Sequence, residues 1–252
     1  MKIGIMGAMP QEIESLVPVI ADKKITTIGG RDFITGTMKG HDVVLVFSRM
    51  GKVAAASTAT ILTDRFNAEL LIFTGVAGAI EPSLNIGDVV VADSLVQHDM
   101  DVSVLSGFKR FEIPLLGKQF LIPPEDLVEK AVMAAENYVS LDMPVDIPAQ
   151  KLKTFGMGKP KIVKGLIGSG DQFIASSETV EKLRKLLPGL LCIEMEGAAV
   201  AQVAVEHQVP FIVFRTISDK ADHSAFIDFP RFIRLVATHI TCGCVRRLAE
   251  LI

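Results

Sequence analysis

Two short runs, LLIF at 70–73 and FIVF at 211–214, are apolar at every position. A strand with one wet face alternates apolar and polar residues, so an unbroken apolar run belongs to a strand covered on both faces. Such strands lie in sheets sandwiched between helices. The rest of the chain supplies the pieces. Residues 2–6, 32–36, 42–48, 88–93, 164–167 and 190–193 read as further strands. Helical spacing of apolar residues predicts helices over 10–21, 51–66, 125–138, 178–187, about 195–207 and about 228–250. The expected fold is α/β, a mostly parallel or mixed sheet between helical layers, in a single domain spanning 1–252.

Two stretches break this pattern. Residues 98–124 carry Gly107, Pro114, Gly117, Pro123 and Pro124 and are expected to make a long irregular excursion. Residues 142–160, with Pro144, Pro148, Gly156, Gly158 and Pro160, are expected to form an exposed insertion. A net charge of −3 gives no general attraction to nucleic acid or to an anionic membrane. With no Trp and only Tyr138 as tyrosine, stacking platforms for single strands are scarce. No run approaches the roughly 18 apolar residues of a membrane span, and the amino-terminal apolar run stops at glycine short of signal-peptide length. Cys192, Cys242 and Cys244 lack zinc-site spacing and nearby histidines, so reduced thiols, no metal and no cofactor are expected. The expected compartment is the cytosol.

Ligands of open α/β sheets bind beyond the carboxyl ends of the strands. Three acids fall there: Glu12 after the first strand, Glu196 (with Glu194) after the strand ending at Ile193, and Asp219 after FIVFR. Each has an ordinary use. Glutamate suits the first turn of a helix, and aspartate often caps a turn. Glu194 and Glu196 resist that explanation, because they interrupt the apolar stretch CIEMEGAAVA, and a buried carboxylate needs a partner or a ligand. If the strands are parallel neighbours, the acids share one mouth. Such a set suits cleavage of a ribosyl–purine bond: one acid protonates the leaving base, one holds water, and one grips the ribose hydroxyls. Met195 offers a soft face to a sugar, and Phe173 can stack on a purine.

At these residues the chain resembles the methylthioadenosine/S-adenosylhomocysteine nucleosidases, within the nucleoside phosphorylase superfamily. The resemblance is carried, in family order, by KIGIMGAMPQEI (2–13), GKVAAA (51–56), FTGVAGA (73–79), VQHDMDVS (96–103), SGDQFI (169–174), IEMEGAAVA (193–201) and RTISDKAD (215–222). It implies a three-layer α/β/α fold with a mixed, partly barrel-like sheet, usually in a homodimer. It implies Asp219 as the acid toward adenine N7, oriented by Ser218, and Glu12 as the group that activates water, assisted by Arg215. Glu196 and Met195 would hold the ribose. Phe173 would stack on adenine, whose polar edge would meet the Ile174 backbone. Val76, Ala77 and Gly78 are expected in the site wall. Met9, Met50 and Phe229 would line the pocket for the 5′-substituent, closed by Val102 and Leu105 of a neighbouring subunit. Three departures stand out: Val76 replaces a serine found in some members, Arg49 places a cation beside Met50 and is expected to be a solvent-facing strand end, and the 142–160 insertion has no derivable role.

Three other functions compete. A phosphorylase of this fold would use phosphate in place of water, which Glu12 would repel. An aminodeoxyfutalosine hydrolase would share the adenine and ribose contacts and differ only in the 5′-pocket. A non-catalytic nucleoside-binding protein is expected to lack one of the three acids.

Overall fold

The computed structural model describes residues 1–220 and 231–252. Among them are nine strands in one mixed sheet: β1 (Lys2–Gly7), β2 (Ala21–Ile28), β3 (Arg31–Met38), β4 (His41–Phe47), β5 (Leu70–Ala79), β6 (Val89–Gln97), β7 (Ile162–Ser169), β8 (Leu190–Glu194) and β9 (Phe211–Asp219). The spatial order is β2-β3-β4-β1-β5-β8-β7-β6-β9, and β9 pairs back onto β5. The second half of the sheet thus closes into a five-stranded, barrel-like ring. β1 runs parallel to β4 and β5, and β5 runs parallel to β9. The apolar runs sit centrally, as double coverage requires, and β5 is buried from Leu70 through Gly75.

Helices cover both faces. On one lie α2 (Lys52–Asp64) and α7 (Gly197–Glu206), which pack on each other and on the ring. On the other lie α1 (Pro10–Ile13), α3 (Glu125–Asn137) and α8 (Thr238–Leu248). Between α3 and α7 the chain also forms α4 (Met143–Asp146), α5 (Ala149–Thr154) and α6 (Ser177–Leu186). This is the three-layer arrangement with a partly barrel-like sheet.

Several expectations need correction. The helix over 10–21 is α-helical only to Ile13 and continues as a 3₁₀ turn, Glu14–Val19, containing Pro18. Proline supplies no N–H and clashes with the preceding turn, so a regular helix stops there. Strand β2 was not expected. It is an edge strand whose residues are almost all exposed, so no buried pattern marks it. The 142–160 segment is not wholly exposed: Met143 and Ile147 are buried in the main core, while Pro144 and Val145 face solvent. Residues 98–124 do form an irregular excursion, held by isolated bridges between Leu95 and Leu121 and between Ile113 and Lys118.

Candidate active site

The premise that the acid-bearing strands are parallel neighbours fails for β8, which runs antiparallel to β5. The acids meet regardless, because β5 outlasts β1. Pairing with β1 ends at Phe73, and Gly78 is already level with Ile193 of β8. The carboxyl half of β5 therefore forms a floor between Glu12 on one side and Glu194 and Glu196 on the other.

Glu12 is buried at 3% exposure. One carboxylate oxygen accepts the N–H groups of Ala8 (2.7 Å) and Met9 (2.9 Å), and the other accepts that of Val76 (3.0 Å). Position 76 therefore contributes through its backbone, whatever side chain it carries. Gly75 is required by this approach: a Cβ there would lie 2.5 Å from the Glu12 carboxylate. Burial pushes the Glu12 pKa up, and the positive charge of Arg215 opposes that.

Arg215, from β9, is 1% exposed. Its guanidinium donates twice to Glu194, lies 4.0 Å from a Glu196 oxygen and stacks over the Phe73 ring at 4.2 Å. Glu194 in turn caps α7. It accepts the N–H of Glu196 (3.1 Å) and that of Gly197 (2.8 Å), while Ser169 Oγ, itself donating to Glu194, accepts the N–H of Ala198 (2.7 Å). These are groups a helix start would otherwise leave unpaired. The sequence marks Glu194 as a buried acid and assigns it no part. Its role depends on Arg215, 21 residues away, and no local signal reports that pairing.

Glu196 is 5% exposed and accepts the N–H of Gly51 at 2.8 Å. Burial, then the adjacent Glu194 carboxylate, push its pKa up to about 8. Ser218 donates its hydroxyl to Asp219 at 2.7 Å, and both are buried at the end of β9.

These groups open on one concave, largely apolar cleft with a few convergent polar groups, the make-up of a small-molecule site. Met9, Glu12, Met50, Val76, Ala77, Gly78, Phe173, Ile174, Met195, Glu196, Ser218 and Asp219 all line it, joined by Ala8, Gln172, Ile193 and Glu194. Phe173 and Met50 are exposed at its rim. Arg215 lies behind the wall. Val102 and Leu105 lie on the 98–124 excursion and do not line the cleft, and Leu105 is 57% exposed. Phe229 falls outside the described residues. Arg49 is exposed and donates to the Gly30 carbonyl at 2.9 Å, so it is a solvent-facing strand end and not part of the wall. Among the described residues no cluster of His, Cys, Asp and Glu could hold a metal ion.

A closed ring in a mixed sheet between helical layers, with buried acids and a largely apolar cleft at its mouth, defines an α/β protein built around a small-molecule site. Residues 2–248 match the family model of the phosphorylase superfamily. The chain is 36% identical to a 5′-methylthioadenosine/S-adenosylhomocysteine nucleosidase of Shewanella frigidimarina, over the whole of both chains. It superposes with a TM-score of 0.87 on the corresponding nucleosidase of Neisseria meningitidis in complex with methylthio-immucillin-A (31% identity, 100% of this chain and 99% of that one). A Helicobacter pylori structure described as futalosine hydrolase matches with a TM-score of 0.83 (30% identity, 100% and 98%). The chain belongs to the phosphorylase superfamily and, within it, to the 5′-methylthioadenosine/S-adenosylhomocysteine nucleosidase family.

Proposed function

We propose that the protein hydrolyses the N-glycosidic bond of 5′-methylthioadenosine and S-adenosylhomocysteine, releasing adenine and the 5-thio-sugar. The observation that carries hydrolysis over phosphorolysis is the set of side chains in the wall, which offers acids and no cation. Among the described residues lining the cleft are Glu12, Glu194, Glu196 and Asp219, and no Lys, Arg or His. Phosphate needs cationic or N–H donors, and Arg215 lies behind the wall with three of its five N–H groups directed at Glu194 and the Phe214 carbonyl.

In this reading Asp219, with the Ser218 hydroxyl on one oxygen, passes a proton to adenine N7. Glu12 has one oxygen with two N–H donors and one with a single donor. The latter keeps a lone pair for water, and burial makes it a stronger base. Glu196 accepts the ribose hydroxyls and Met195 packs on the sugar. Phe173 stacks on the base, Ile174 meets its polar edge, and Met9 and Met50 flank the 5′-substituent. Arg215 acts from behind by holding the acids' charges in balance.

A homodimer is part of the proposal. Its support is a set of exposed apolar residues, Val104, Leu105, Leu115 and Ile122, on the excursion that the family resemblance assigns to the neighbour's pocket. A cytoplasmic setting and a place in methionine salvage complete it. Among the described residues no helix is long and apolar enough to cross a membrane. A second reading, hydrolysis of aminodeoxyfutalosine, is favoured by the futalosine hydrolase likeness and uses the same adenine and ribose contacts. Adenine release from all three nucleosides, compared as kcat/KM, tests the assignment. The thioethers should be cleaved; a strong preference for the futalosine compound selects the second reading, and no adenine from any of them rejects both.

A further inference from the structure

Beside the cleft lies a ring of polar contacts that the scheme above does not use. Lys52 Nζ donates to Asp99 Oδ1 at 2.6 Å and to Gln97 Oε1 at 3.1 Å. The other Asp99 oxygen accepts the Asp171 N–H at 2.9 Å, and Asp171 Oδ1 accepts the Lys52 N–H at 2.7 Å. Three segments distant in sequence are thereby tied in a closed loop: the turn entering α2, the chain leaving β6 and the chain leaving β7. The Lys52 and Asp99 side chains are only 17% and 23% exposed, so water weakens their pairing less than it does a fully surface pair.

What the ring joins gives it meaning. On one side, Gly51 presents its N–H to Glu196. It does so with φ of +95°, and a Cβ there would lie 3.1 Å from Asp171 Oδ1. On the other side, Asp171 leads directly into Gln172, Phe173 and Ile174 of the cleft wall. The same loop is seated on buried His98: a Cβ on Gly170 would come within 2.4 Å of the imidazole.

We propose that Asp99, Lys52 and Asp171 form a clasp that fixes the base-facing loop at 171–174 relative to the sugar-facing carboxylate of Glu196. They are positioning residues, and none is placed on a reacting atom. The inference rests on the nucleosidase reading, since it takes Phe173 and Ile174 as base contacts and Glu196 as the ribose contact. An ion pair that merely supports the fold would affect stability and leave ligand affinity alone.

The test uses Asp99→Asn, Lys52→Met and the double variant of the full chain. Adenine affinity is read by calorimetry, kcat and KM on methylthioadenosine by adenine release, and folding by thermal midpoint. Each single change is expected to weaken adenine binding and raise KM about tenfold, and the double change to reach the same total of about tenfold, not a hundredfold, because a ring opened once stays open. We expect kcat to change by less than about threefold, as for loss of binding shared by ground and transition states. Lys52→Arg should recover most of the affinity and guards against a folding defect in Lys52→Met. Unchanged affinity and KM in variants whose thermal midpoint falls would overturn the clasp, as would a fully multiplicative double variant. A wild-type protein that neither binds adenine nor releases it overturns the nucleosidase reading and the clasp together; normal wild-type turnover with unaffected variants overturns the clasp alone.

Discussion

At the residue scale the site is a problem of buried charge. Three glutamates and one arginine share a small volume, and Arg215 is the counter-charge to the others. Arg215→Met leaves Glu194 without its cation, so it should cost about 3–5 kcal/mol of stability, read from urea denaturation at neutral pH. Asp219→Asn retains shape and loses the transferable proton. It should lower kcat by about 10²–10⁴-fold with an unchanged circular dichroism spectrum; near-normal turnover would remove Asp219 from the scheme. Glu12 supplies one part of the pH dependence, beside Glu196 with its pKa pushed up to about 8. Its folded pKa lies above its ordinary value because of burial, so the acid limb of kcat/KM should fall above about pH 4.3. The stability sign is the opposite of a salt-bridged acid: Glu12's contribution is complete below its unfolded pKa and is lost as pH rises through the raised folded value. Thermal midpoints of wild type and Glu12→Gln across pH 4 to 8, on the order of the carboxylate range, would show it as a difference that shrinks or inverts toward high pH.

At the scale of elements, what can be read from sequence divides by burial. The doubly covered strands β1, β5 and β9 were legible because sandwiching leaves an apolar run, as in LLIF and FIVF. Strand β2 was not, because its ADKKITTI faces solvent and its Lys23 and Lys24 blunt an open edge. The acids could be nominated singly, since Glu194 and Glu196 break an apolar stretch. Their convergence could not, because it follows from the length of β5 beyond β1 and the reversed direction of β8, neither of which leaves a local mark. Helix packing adds a prediction at this scale. Gly243 of α8 faces the Tyr138 ring, which ends the α3 segment, and a Cβ would meet it at 2.0 Å. Gly243→Ala should therefore force α3 and α8 apart and cost about 1–3 kcal/mol by overpacking, measured by chemical denaturation. A neutral result would show that the tyrosine ring yields freely.

At the scale of the whole molecule, the closed ring and its helical layers hold a cleft whose acids are fixed by backbone groups before any ligand arrives. Glu12 takes three N–H donors, Glu194 caps a helix and Glu196 takes the Gly51 N–H. Pre-positioned charge of this kind costs no reorganisation during reaction. The exposed apolar excursion bears on the proposed homodimer: if wild type sediments as a dimer through this surface, Leu115→Lys combined with Val104→Asp should yield monomer; a monomeric wild type would reject the dimer, and an unshifted dimer would place the interface elsewhere. The most direct test of the central claim is the fate of the sugar. Methylthioadenosine should be converted to adenine and the free 5-thio-sugar at a rate independent of added phosphate, with solvent ¹⁸O appearing at the anomeric carbon. A strict phosphate requirement with a sugar 1-phosphate as product would contradict the assignment of Glu12 to water.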